Sequence, residues 1–275
     1  MANMPDLRRA GASLHYELEG TGPLLILLHG FTGSVESFAD LSRRLQRRCR
    51  VARLELLGHG LSDAPQEYAR YGMWEAAQDV LALMKELGEA KAHLLGYSLG
   101  GRVALRAALL APERLHSLIL ESASPGIPSD AERADRRASD EALCRLLDEQ
   151  GIEAFTNRWE AAPLFATQAR CPPERRAQQR AVRLGQRPHG LIGSLRGAGA
   201  GATDDVSGRL QEIRVPTLLI AGARDPKYRG TLRQMARAMS TADYRVVTGA
   251  GHNVHFEKPR VYARMVEEFL VRTAR

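Results

Sequence analysis

The chain has 275 residues, 44% of them apolar, which suits one large domain or one domain with a sizeable insertion and a core that needs no disulfide or metal staple. Its 39 basic against 32 acidic residues give a formal charge of +7, but the cations are mostly Arg, spread along the chain and interleaved with acids, which argues against a nucleic-acid partner. Cys49, Cys144 and Cys171 are widely spaced with no C-x-x-C, no apolar run nears the ~20 residues of a spanning helix, and the first twenty residues lack a signal-peptide core, so a cytoplasmic protein without membrane insertion is expected.

In chain order, short aliphatic runs at 14–18, 24–29, 51–56 and 92–96 predict strands. Residues 74–87 set Ala77, Val80, Leu81 and Met84 on one helical face, 103–111 is again helical, and 115–120 returns to strand. The C-terminal part repeats the alternation, with a strand at 217–221, a helix at 232–239, a strand at 244–247 and a helix at 259–273. That pattern predicts an α/β fold, a mostly parallel sheet with helices on both faces.

Between 122 and 210 the spacing is helical throughout. Leu143, Leu146, Leu147 and Phe155 form one stripe, Trp159, Leu164 and Phe165 follow, and 174–184 predicts a second helix. The Gly/Ala run at 197–202 is expected to be a loop or hinge, and the arginines of 43–50 and 175–183 to be solvated faces. The expected organisation is a core of 1–122 and 210–275 with an inserted helical lid, 123–209.

Gly96-Tyr97-Ser98-Leu99-Gly100 fits G-x-S-x-G between a buried strand and a helix, the context in which a serine is held exposed on a sharp turn. A serine hydroxyl is a weak nucleophile and a weak base until an imidazole takes its proton and a carboxylate fixes that imidazole's tautomer. His252 follows the last predicted strand and Asp225 follows the 217–221 strand, both at carboxyl ends, where open parallel sheets place their sites. An oxyanion hole needs two backbone donors, and Leu99 and Phe31 are the candidates, the latter from His29-Gly30-Phe31 after the 24–28 run. Of the other histidines, His255 reads as packing, His59 as organising its loop, and His93 and His116 as structural. None has metal-ligand spacing and no phosphate loop occurs, so neither metal nor cofactor is expected.

These residues lie in segments that resemble a known family. Leu28-His29-Gly30-Phe31-Thr32-Gly33-Ser34, Gly58-His59-Gly60-Leu61-Ser62 and the elbow are common among α/β-hydrolases, which share the order Ser, Asp, His. Arg102, Glu121-Ser122-Ala123-Ser124-Pro125-Gly126 and Gly251-His252-Asn253-Val254-His255-Phe256-Glu257 are more specific and resemble the 2-succinyl-6-hydroxy-2,4-cyclohexadiene-1-carboxylate synthases of menaquinone biosynthesis, as do 133–140, 159–165 and 180–195. The resemblance implies elimination of pyruvate from a small-molecule polycarboxylate. It also implies that Arg102, Arg136 and Arg180 bind carboxylates and that Tyr97 and Trp159 line the pocket. Arg102 has a geometric reason as well, since it lies one helical turn beyond Ser98 on the same face. The chain departs from the family at Glu55-Leu56-Leu57, where Asp-Leu-Pro is usual, and at 202–207, which replaces a Gln-Pro-Ser stretch. A carboxylesterase or carbon-carbon bond hydrolase would use the same triad, and a non-catalytic receptor the same fold.

Overall fold

The computed structural model describes residues 6–273; the expected core segments also include 1–5 and 274–275, which lie outside the described residues. A hairpin of β1 (Asp6–Arg9) and β2 (Ala12–Glu19) leads into β3 (Leu24–Leu28), α1 (Ala39–Leu45) and β4 (Arg50–Leu54). Then come α2 (Met73–Glu86), β5 (Ala92–Tyr97), α3 (Leu99–Leu110) and β6 (Leu115–Glu121). Three helices, α4 (Asp130–Glu160), α5 (Pro173–Leu184) and α6 (Pro188–Ala198), fill the interval before β7 (Thr217–Gly222). The chain closes with α7 (Pro226–Ala238), β8 (Ala242–Val247), the single turn α8 (Val254–Glu257) and α9 (Pro259–Thr273).

The strands form one sheet in the order β1-β2-β4-β3-β5-β6-β7-β8, antiparallel at β1/β2 and β2/β4 and parallel from β4 onward. This is the α/β-hydrolase fold. β3 is apolar at every position because both its faces are covered: Leu24, Ile26 and Leu28 pack with α2 and α3, while Leu25 and Leu27 pack with α1 and α9. The strand order reverses between β3 and β5, since the chain leaves β3 for β4 on one side and returns to β5 on the other. That switch point opens a crevice at the carboxyl ends of β3 and β5, which is where the segments after Leu28 and Tyr97 emerge.

Two expectations are corrected and a third is narrowed. β1 was not anticipated; Ala10 and Gly11, at φ 46° and 77°, make a two-residue hairpin turn whose left-handed pair lacks the usual Asn-Gly or Asp-Gly signal. Residues 199–202 are a turn after α6, as the loop reading expects, while 197–198 are still helical; the glycines serve tight packing, since a Cβ on Gly199 would lie 2.2 Å from the Leu195 carbonyl and one on Gly201 2.6 Å from the Arg137 amide. The 175–183 face is not wholly solvated either, since Arg183 is buried with Nη1 2.9 Å from Glu160. No strand occurs between β6 and β7, as the helical spacing requires.

Candidate active site

β5 ends at Tyr97 and α3 starts at Leu99, so Ser98 alone makes the strand-to-helix turn and takes up φ 51°, ψ −106°. Such a left-handed conformation is strained for a residue with a Cβ, and the surroundings must enforce it. Glycines make that possible. A Cβ at position 96 would lie 2.3 Å from the Gly100 carbonyl, and one at 100 would lie 2.3 Å from the Leu28 carbonyl. The Ser98 amide donates to the Glu121 carbonyl at 2.9 Å, which ties the turn to the end of β6.

The three residues expected to act together do meet. His252 Nε2 lies 3.1 Å from Ser98 Oγ, and His252 Nδ1 lies 2.8 Å from Asp225 Oδ2. Asp225 and His252 are buried, at 4% and 2% exposure, while Ser98 stays partly open to the crevice. A buried carboxylate beside Nδ1 favours the tautomer protonated there, which leaves Nε2 to accept the serine proton.

Phe31 lies in the loop after β3 and Leu99 is the first residue of α3, and among the described residues neither amide N–H has a protein acceptor. His29 shapes the first loop. Its Nε2 accepts the Leu56 N–H at 3.1 Å, so the ring proton sits on Nδ1 and is donated to the Gly30 carbonyl at 2.8 Å. Burial lowers the pKa of His29, which keeps it in this neutral form. Gly30 admits the Tyr97 ring, whose Cδ1 would be 2.6 Å from a Cβ at that position.

The arginines behave differently from one another. Arg102 is buried, donates to Thr203 Oγ1 at 3.3 Å and, among the described residues, forms no ion pair; burial brings its pKa down to about 10, leaving it charged at neutral pH. Arg136 is half-buried nearby and bonds through Nε to Asp140 Oδ1 at 2.8 Å. Asp140 is itself buried, which pushes its carboxyl pKa up against the opposing pull of Arg136. Arg180 is held by Glu160 at 2.8 Å, a carboxylate it shares with Arg183, and by Asn157 at 2.7 Å, so it is already engaged. Trp159 packs against Phe31 with ring centroids 5.2 Å apart and is stacked on Phe155 at 5.7 Å. A cavity of about 870 Å³ opens between α5, α1 and α9; Phe31, Tyr97, Phe165 and His255 line it, and it stops short of Ser98.

Sequence reasoning missed Tyr228, whose ring lies 4.6 Å from that of His252, and Phe165, 6.2 Å from the same ring. Tyr228 follows Asp225 by three residues and Phe165 lies in the family-like stretch 159–165, but neither position says that its ring faces His252, and only the fold brings them in. His255 is more than a packing residue, because its backbone N–H and Nδ1 both reach the Glu121 carboxylate, at 3.1 and 2.7 Å. His59 is buried against its own loop, with Nδ1 3.1 Å from the Leu57 carbonyl. His93 bonds to Ser117 at 2.8 Å, and exposed His116 covers its ring.

The family model for the alpha/beta hydrolase fold matches residues 23–259. A Bacillus subtilis (strain 168) protein provisionally named 2-succinyl-6-hydroxy-2,4-cyclohexadiene-1-carboxylate synthase is 36% identical over 261 residues, 94% of this chain and 95% of that protein. The enzyme of the same name from Salmonella agona (strain SL483) is 29% identical over 237 residues, 86% of this chain and 89% of its own length. The structure of MenH from S. aureus has a TM-score of 0.91 and 32% identity, covering 95% of this chain and 99% of that one. On fold and sequence together, the chain belongs to the alpha/beta hydrolases and, among them, to the 2-succinyl-6-hydroxy-2,4-cyclohexadiene-1-carboxylate synthase family.

Proposed function

We propose that this enzyme is a lyase of menaquinone biosynthesis that eliminates pyruvate from 2-succinyl-5-enolpyruvyl-6-hydroxy-3-cyclohexene-1-carboxylate. His252 takes the Ser98 proton, and the serine oxygen removes a proton from the carbon next to the succinyl ketone. The N–H groups of Phe31 and Leu99 stabilise the enolate oxygen that forms. Electrons then shift through the ring, the carbon-oxygen bond to the enolpyruvyl group breaks, and the departing enolpyruvate takes up a proton to become pyruvate. Asp225 holds the imidazole and stabilises its charged form.

The observation that carries this reading is Arg102, a buried cation with no carboxylate partner among the described residues, one helical turn from Ser98. An uncompensated buried charge is costly, and a site that maintains one is suited to an anionic ligand. A neutral ester gives it nothing to bind. Arg136 adds a second cation, and Arg180 a third once it turns from Glu160. Tyr97 and Trp159 supply apolar walls, and the helical segment 123–209 acts as a lid over the group. Among the described residues no helix is long and apolar enough to cross a membrane. The three cysteines are free and buried, consistent with a cytoplasmic enzyme.

The deciding experiment supplies the purified protein with the pathway intermediate and follows pyruvate with a coupled dehydrogenase. Stoichiometric pyruvate is expected. If no pyruvate is formed while simple esters are hydrolysed rapidly, the carboxylesterase reading replaces this one.

A further inference from the structure

The cavity of about 870 Å³ next to the Ser98, His252 and Asp225 group is a compartment of its own. The turn after β3 with α1, the helix α5 of the inserted segment, and α8 with the start of α9 enclose it, and none of Ser98, His252 and Asp225 lines it. Tyr97 and Phe165 form the partition. Both line the cavity, and both set their rings against His252, with centroids 5.4 and 6.2 Å from that of the imidazole. Phe38 and Tyr262 extend the aromatic wall. Sites for organic ligands span roughly 300–1,000 Å³, so the volume suits one such molecule.

Two buried polar side chains interrupt the aromatic lining. Arg183 is 5% exposed, its guanidinium carbon stands 5.4 Å from the Phe165 ring centroid, and among the described residues its Nε has no acceptor. Its Nη1 bonds Glu160 Oε1 at 2.9 Å, but the other oxygen of that carboxylate is taken by Arg180 at 2.8 Å. One negative charge therefore serves two guanidinium groups, and the excess positive charge stands at the cavity wall. His255 is the second: Glu121 takes its backbone N–H and its Nδ1, and among the described residues no protein group bonds its Nε2. At the mouth Arg43, Arg44, Arg175 and Arg260 outnumber Glu36 and Asp40, and Asp40 is itself shared by Arg43 and Arg175.

We propose that this cavity is a second binding site, separate from the one that holds the polycarboxylate, and that its ligand is an aromatic carboxylate with its rings against Tyr97, Phe165 and Phe38 and its carboxylate on Arg183. The cation sets the sign of the ligand. A buried guanidinium with excess charge is stabilised by a carboxylate, and its planar fork meets one in bidentate fashion. The walls set the body of the ligand, because edge-to-face and offset ring contacts add to what buried area alone contributes, and this favours a flat ring system over an alkyl chain. The arginines at the mouth attract such an anion from solution. The site involves no turnover, so it stands apart from the reading of Ser98 as catalytic.

The test is calorimetric titration of the full chain with 2-naphthoate, neutral 2-naphthamide and laurate. One saturable site per chain is expected for 2-naphthoate, retained in Ser98→Ala saturated with the polycarboxylate, with the amide binding at least about 10-fold more weakly. Arg183→Gln should weaken 2-naphthoate roughly 10- to 150-fold and leave the amide unchanged. Since that variant also frees Glu160, Val182→Trp supplies a second one: it keeps every charge, fills the cavity from α5, and should abolish 2-naphthoate binding with unchanged circular dichroism. Absence of saturable binding in the millimolar range, or equal affinity in both variants and the wild type, would overturn the site. Displacement by the polycarboxylate, or loss of binding in Arg102→Ala, would place the naphthoate at Ser98 instead. Laurate binding as tightly as 2-naphthoate would overturn the aromatic assignment. None of these outcomes depends on pyruvate release, so failure here is distinguishable from failure of the elimination reading.

Discussion

Asp225 serves His252 and its own helix at once: Oδ2 lies 2.8 Å from the imidazole Nδ1, while Oδ1 accepts the Tyr228 N–H at 3.1 Å as the N-cap of α7. The two roles come apart on substitution. Asparagine retains an oxygen for the cap but presents a neutral amide to the imidazole, so Asp225→Asn should keep its melting temperature and lose turnover. Asp225→Ala should lose turnover and also about 1 kcal/mol of stability through the cap. Kinetics beside thermal denaturation separates them, and equal melting temperatures for the two variants would remove the cap from the account.

Ser98 and His252 share one proton, so their removal should not multiply. Either alanine substitution should lower kcat by roughly three orders of magnitude or more, and the double variant should be scarcely worse. Steady-state kinetics on the three proteins tests this. Independent, multiplicative losses would mean that the 3.1 Å contact is not used in turnover.

The arginines should rank by how free they are. A charge-assisted hydrogen bond contributes about 1.5–3 kcal/mol, so loss of one should lower kcat/KM for the polycarboxylate roughly 10- to 150-fold. Arg102→Ala should be the most severe, because its charge has no carboxylate partner among the described residues, and Arg136→Ala should follow, since Asp140 already holds one side of that guanidinium. Arg180→Ala should be mildest, because Glu160 and Asn157 already engage that guanidinium. Turnover of a neutral p-nitrophenyl ester serves as the control and should barely change. Three variants at full activity on the polycarboxylate would sink the synthase reading.

What could be read from the sequence was local. The β3 and β5 runs, the elbow and the loops after β7 and β8 each announce themselves within a few residues, and their convergence follows from the topology of a parallel sheet. What could not be read was pairing at a distance. Glu121 and His255 are 134 positions apart, and nothing in either segment names the other. Arg136, Arg180 and Arg183 each sit in an Arg-rich helix where spacing alone cannot say which guanidinium turns inward to Asp140 or Glu160. The segment 202–207, where the chain departs from its family, proves to be tied to α3 by Arg106, a fully buried arginine that reads in sequence as one more surface cation.

Arg106 gives the next prediction. Its Nη2 bonds the Asp204 carbonyl at 2.5 Å, the Asp204 carboxylate at 3.1 Å and the Pro125 carbonyl at 3.2 Å. Replacement by Met fills space but leaves buried acceptors unpaired, so about 3 kcal/mol of stability should be lost. Asp204→Ala should be milder, because that carboxylate is half exposed and the backbone bonds remain. Urea denaturation measures both. Since Thr203 next to Asp204 holds Arg102, Arg106→Met should also raise KM for the polycarboxylate, and an unchanged KM would show that Thr203 keeps its place without the tie.

The last prediction concerns acid. His59 and His93 are buried, and burial lowers their pKa values to about 3 and about 4, each also depressed by a neighbouring histidine. Both are therefore neutral in the folded protein at any pH where the unfolded chain begins to protonate them, near 6.5. Because the folded values lie below the unfolded one, the unfolded state binds more protons as pH falls. Stability is full above about pH 6.5 and declines as the pH drops toward the folded values. Between pH 7 and pH 5 each histidine should remove about 2 kcal/mol, on the order of 4 kcal/mol together. Urea midpoints across that range should fall accordingly. His93→Asn, which keeps a polar side chain beside Ser117 but cannot titrate, should flatten about half of the decline. A variant with the same slope as the wild type would show that His93 is protonated in the folded state and that the acid sensitivity arises elsewhere.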